Sequence, residues 1–124
     1  MKTGLILRLV LALPAATAFA ADSPAFPQGT YGAQGAPYTV SFEEQGQFHV
    51  NKEGKLEVSG TYSVKADELK LTDSAGPWAC TQAGEQSGTY KWKFENAVLT
   101  LIKVSDKCAD RVNSLVSFEW KQKT

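Results

Sequence analysis

An all-β fold is what this sequence predicts: an antiparallel up-and-down meander of about eight short strands, closing into a small barrel clipped by one disulfide. Three observations lead there. Apolar and polar residues alternate with period two over most of the chain. Turn residues interrupt the alternation at short intervals. No stretch keeps a convincing helical period, although 107–113 could form one turn.

The elements follow in chain order. Lys2 and Arg8 supply positive charge around the apolar runs Leu5-Ile6-Leu7 and Leu9-Val10-Leu11-Ala12-Leu13, Pro14 breaks the pattern, and Ala18-Phe19-Ala20 offers a small-x-small cleavage site. Residues 1–20 are therefore expected to be a secretory signal peptide. The run is too short to span a bilayer, which takes ~20 apolar residues. A short lead (21–28) follows, and 29–124 is expected to be a single barrel domain.

Gly29-Thr30-Tyr31 opens the first strand. Further strands are expected near 38–43, 46–51, 55–65, 68–73, 88–95, 97–105 and 114–121. In 55–65, Leu56, Val58, Gly60, Tyr62 and Val64 share the interior face, while Glu57, Ser59, Thr61, Ser63 and Lys65 share the other. In 88–95, Tyr90, Trp92 and Phe94 face in and the charges face out. Val116, Phe118 and Trp120 repeat the pattern. The run from Val98 to Val104 does not alternate cleanly. Leu99 and Leu101 share one face, Ile102 and Val104 the other, so a bulge or burial on both faces is expected. A closed meander leaves no unpaired edge, which favours a barrel over an open sandwich.

In a meander, alternate connections lie at opposite ends. The turns near 44–46, 66–67 and 95–97 then share one end, and 32–37, 52–54, 74–87 and 106–113 share the other. Cys80 and Cys108 fall in two of the long connections. An exported chain with one cysteine pair points to a Cys80–Cys108 disulfide.

Composition narrows the function. The 124 residues carry 13 basic and 13 acidic side chains, and a neutral chain lacks the basic footprint of a nucleic-acid binder. Without 1–20 the chain is weakly acidic. From Asp22 to Tyr90 nine acids face four lysines, and from Lys91 onward seven bases face four acids. These read as solvated strand faces. No catalytic site is expected. His49 is the only histidine, and beside Phe48 and Val50 the alternation turns it outward. One histidine and a bonded cysteine pair do not make a metal site. Glu43-Glu44 and Asp67-Glu68 are turn residues. No cofactor is implied.

The candidates for binding are the interior aromatics Tyr38, Phe42, Phe48, Tyr62, Trp92, Phe94 and Trp120, which either pack as a core or line an apolar pocket. Trp78, in Gly76-Pro77-Trp78-Ala79-Cys80, is either a contact residue or a plug over the barrel mouth. Arg111, in the polar run Asp106-Lys107-Cys108-Ala109-Asp110-Arg111, is expected to clamp neighbouring acids beside the disulfide or to meet an anionic ligand.

Gly29-Thr30-Tyr31, the hairpin series, Gly88-Thr89-Tyr90-Lys91-Trp92 and the late Arg111 together resemble the calycin-type barrels, the lipocalin-like group of small exported bacterial proteins. In lipocalins a Gly-x-Trp on the first strand packs against a late arginine, and Tyr31 stands here where that tryptophan would be. The resemblance covers about residues 29–121. It implies binding of a small apolar molecule and no catalysis. The expectation is thus a monomeric periplasmic or secreted barrel that binds a small apolar or amphipathic ligand in or at the mouth of the barrel. The alternative is a protein-binding module, an inhibitor of a secreted enzyme or an envelope accessory protein, acting through the 74–87 loop.

Overall fold

The computed structural model describes residues 25–124. The expected signal peptide and the first half of the lead lie outside the described residues. Eight strands run in sequence: β1 (Gly29–Ala33), β2 (Tyr38–Phe42), β3 (Gln47–Lys52), β4 (Lys55–Lys65), β5 (Glu68–Ala75), β6 (Ser87–Glu95), β7 (Val98–Asp106) and β8 (Trp120–Gln122). Each pairs antiparallel with the next, and β8 also pairs with β1 through Tyr31↔Gln122, Gly32↔Lys121 and Ala33↔Trp120. The meander is a closed barrel. The hairpin turns are tight. Glu53 and Gly54, and likewise Asn96 and Ala97, all have positive φ, the conformation that matches a two-residue turn to the twist of its strands.

Three one-residue bulges explain where side chains leave the simple alternation. Between Val50↔Val58 and Asn51↔Leu56, β4 carries the extra residue Glu57. Glu57 is buried, and Leu56, expected inside, is exposed. Between Ser59↔Ala75 and Gly60↔Asp73 the extra residue is Ser74 of β5. Between Thr89↔Ser105 and Tyr90↔Lys103 it is Val104 of β7. The irregular run at 98–104 is therefore a bulge: Leu99 and Leu101 are buried, while Ile102 and Val104 are exposed. The extra residue reverses the parity beyond it, which turns Asp106 toward Gly88 and the interior. Val64, expected inside at the far end of β4, is also exposed, where the strand runs into its turn.

A second difference concerns 114–121. Most of it is not strand: α1 (Ala109–Val116) is a two-turn helix, and β8 is only Trp120–Gln122. Cys108 is the N-cap, with its sulfur accepting the Arg111 N–H, and Asp110 lies in the first turn, where its charge suits the helix dipole. Arg111 and Leu115, four residues apart, form the buried stripe. Val116, expected to face the interior, is exposed on the opposite side.

The core divides into two layers. At the short-turn end, Phe26 from the lead plugs the barrel. Its ring lies 5.0 Å from Phe42, 5.2 Å from Trp92 and 5.8 Å from Tyr62, and Tyr31 meets Phe42 and Phe94 edge-on. The polar tips of these rings are tied to the rim. Tyr62 Oη–H donates to the Glu43 carbonyl, Trp92 Nε1–H to the Ala66 carbonyl, and Tyr31 Oη–H to the Pro27 carbonyl. At the other end α1 and the 76–86 connection fold across the opening.

Candidate functional site

The 76–86 connection and α1, both at the long-loop end, border the open part of the interior. A cavity of about 460 Å³ lies there. Phe48, Val50, Val58, Leu71, Leu115 and Trp120 supply its apolar walls; Tyr38 and Pro77-Trp78-Ala79-Cys80 form one rim, and α1 forms the other with Asp110, Asn113 and Ser114. Trp78 stands at this rim with its side chain partly in water, its ring 6.0 Å from Tyr38 and the Lys52 ammonium 5.8 Å away.

The sequence sets this lid in place. Gly76 (φ +120°) lies directly against the bulged residue of β4: a Cβ here would sit 2.2 Å from the Glu57 carbonyl oxygen. The turn that follows lets the Trp78 N–H donate to that same carbonyl at 3.0 Å. The Cys80–Cys108 disulfide then joins the lid to the start of α1, with the two Cα atoms 6.3 Å apart.

Beneath the lid is a buried charge cluster. Asp106 accepts from Arg111 Nε and Nη2, both at 2.7 Å, from the Cys108 N–H at 2.9 Å, and from the Tyr90 hydroxyl. Arg111 Nη1 lies 3.0 Å from Asp73 Oδ2, and Nη1 and Nη2 donate to the carbonyls of Gln86 and Glu85. Every nitrogen of the guanidinium is thereby engaged, so Arg111 is the clamp of the two expectations. Its partners also differ from those the resemblance implies, which would set it against Tyr31. The side chains of Arg111, Asp73 and Asp106 are 6%, 3% and 0% exposed. Gly88 makes room for this arrangement, since a Cβ there would fall 2.1 Å from Asp106 Oδ2.

The two carboxylates behave oppositely. Burial alone would raise Asp106, but the hydrogen bonds from Arg111, Tyr90 and Cys108 outweigh it and hold Asp106 below the ordinary carboxylate range. Asp73 is raised, because burial outweighs the Cys80 N–H and the Arg111 charge. Tyr90 is raised by burial and by its bond to Asp106. A carboxyl depressed on folding stabilises the protein above its unfolded pKa, ~3.9 for aspartate. That contribution is lost as the pH falls through the lower folded value. Asp73 has the opposite sign and gains on protonation. Urea unfolding between pH 2 and 7 is therefore expected to show an acid loss of stability that Asp106→Asn flattens while lowering stability at neutral pH. An unchanged acid slope in the variant would remove Asp106 from the account.

The aromatics expected to bind ligand are split between the two ends. Tyr38, Phe48 and Trp120 border the cavity. Phe42, Tyr62, Trp92 and Phe94 belong to the aromatic layer at the short-turn end, three of them around Phe26. Asp73 was not among the candidates, although its signal was present. It continues the interior series Leu69, Leu71 on β5, where a carboxylate needs a partner. His49 is half-buried, with Nε2 3.5 Å from Glu43 Oε2, and does not border the cavity. Among the described residues no group of three or more His, Cys, Asp or Glu is placed to hold a metal ion, and no helix is long and apolar enough to cross a membrane.

No protein-family model, curated protein or solved structure matches this chain.

Proposed function

We propose that this chain is an exported, lipocalin-like barrel that binds a small amphipathic molecule in the cavity at its long-loop end. The observation that carries the reading is the cavity itself: about 460 Å³ of space between apolar walls, beneath a lid tied by a disulfide. That size falls within the ~300–1,000 Å³ typical of small-molecule sites. A packed barrel of this length could have filled its interior at both ends, as it does around Phe26. The disulfide and the leader-like N-terminus support export. The buried cluster pairs Arg111 with Asp106 and Asp73 beneath the lid, which suits a rigid binding site.

The partly exposed Trp78 favours the second reading, docking of a protein on the 74–87 loop. One variant separates the two. Trp78 lies at the rim, so Trp78→Ala is expected to cost little stability, within about 1 kcal/mol. Titration with an uncharged fluorescent probe such as N-phenyl-1-naphthylamine should saturate at one site, about tenfold more weakly in the variant. The absence of saturable binding, together with capture of a protein partner that the variant loses, would favour docking over ligand binding.

A further inference from the structure

The cavity wall contains one group that the protein leaves incompletely partnered. Asp73 borders the cavity, and its side chain is 3% exposed. Its Oδ2 accepts the Cys80 N–H at 2.8 Å and faces Arg111, but among the described residues no donor reaches Oδ1. A buried carboxylate oxygen without a hydrogen bond is costly, and a second donor is expected nearby. The described residues offer none. Arg111 meets Asp73 only at Oδ2, through Nη1, and its other contacts go to Asp106 and the Gln86 and Glu85 carbonyls.

The charged groups that line the cavity carry more acid than base, Asp73 and Asp110 against Arg111, while Lys52 meets the Trp78 ring and does not line it. Arg111 is the single cation of the buried cluster and faces two carboxylates, Asp73 and Asp106, while Asp110 adds a third acid on the rim. Asp106 holds the guanidinium with both oxygens, so Asp73 is only partly compensated. The apolar walls lower the local dielectric and strengthen any charge that approaches Asp73. The aromatic residues Tyr38 and Trp120 also line the cavity, and aromatic rings attract cations.

We infer that the cavity takes a small primary ammonium compound, its N–H group set against Asp73 Oδ1 and its hydrocarbon body against Phe48, Val58, Leu71 and Leu115. The inference rests on the reading that the cavity binds a ligand, and it names the chemical class of that ligand. A ligand with a carboxylate head is disfavoured, because it would place a second unpartnered charge beside Asp73.

Four probes of one chain length test it: octylammonium, octyltrimethylammonium, octanol and octanoate. Binding is followed by the emission of Trp78 and Trp120 and by calorimetry on the purified protein. Octylammonium is expected to bind about tenfold or more tightly than octanol, as a hydrogen bond to a charged group implies. Octyltrimethylammonium, which keeps the charge but has no N–H, should fall between them, and octanoate should bind weakest. In Asp73→Asn the octylammonium affinity should drop to that of octanol. Circular dichroism checks that the variant folds, and if it does not, the wild-type series decides alone. Octanol or octanoate binding as tightly as octylammonium would overturn the ammonium inference and leave the cavity as a binding site. A preference that survives Asp73→Asn in a folded variant would overturn the assignment to Asp73. No binding by any of the four would overturn both.

Discussion

Arg111→Ala is expected to lower the stability of the protein by about 3–5 kcal/mol, the loss that follows when one partner of a buried ion pair is removed. The reason lies in what remains. Asp106 and Asp73 are both nearly inaccessible to water, and without the guanidinium two carboxylates share a pocket with one tyrosine hydroxyl and two backbone N–H groups. The Gln86 and Glu85 carbonyls lose their donor as well, so the lid loosens with the cluster. For a domain of this size the melting temperature should fall by about 15 °C or more. Arg111→Lys should recover little of this, because an ammonium cannot present the two parallel donors that Asp106 accepts. Lys91 paired with Asp67 is the contrast: both side chains are more than half exposed, and Lys91→Ala should change stability by less than about 0.5 kcal/mol. Urea unfolding measures all three. A loss below about 1 kcal/mol for Arg111→Ala would mean that the cluster does not hold the lid to the barrel.

Replacing Cys80 and Cys108 together by alanine should cost about 3–4 kcal/mol, from the chain entropy of a loop closed over a separation of 28 residues. The effect should concentrate at the long-loop end. The bond joins the 76–86 connection to the first turn of α1, and Cys108 sulfur also caps that helix. The barrel ladder does not depend on it: every strand pairing, including β8 with β1, is made by backbone hydrogen bonds elsewhere. The far-ultraviolet strand signal at room temperature is therefore expected to persist under strong reductant, while the melting temperature falls. An unchanged melting temperature would contradict this role of the bond.

Much of the barrel was legible because its rules are local. Period-two alternation fixed the interior faces of β2, β3 and β6, and the tight turns fixed the order of the strands. The parity of the connections placed Cys80 and Cys108 at one end, where the structure joins them. The bulges were the main obstacle. One extra residue at Glu57 and another at Val104 exchange inside and outside over the next few positions. Nothing in a single strand's pattern says on which residue the partner strand skips. Asp106 enters the buried cluster by that route, so its pairing with Arg111 was legible only as proximity in the chain. The helix was hidden for another reason. Its buried stripe is one arginine and one leucine, which carries little hydrophobic period, and the packing of Leu115 and Trp120 decides the conformation through a Trp120 Nε1–H bond to the Leu115 carbonyl at 3.0 Å. The role of Phe26 in the lead was not legible, because one aromatic residue has no period at all. Its three ring neighbours come from three different strands.

The division of the interior into a plugged end and an open end is the basis of the functional reading, and amide chemical-shift mapping tests it most directly. The protein is titrated with octylammonium while nitrogen–proton correlation spectra are recorded. The account predicts saturable shifts at Asp73, Trp78, Ala79, Cys80, Arg111 and Leu115, with Phe42, Tyr62, Trp92 and Phe94 unmoved. Shifts centred on the plugged end or on the exposed Ile102 and Val104 of β7, or no saturable shifts at all, would contradict it.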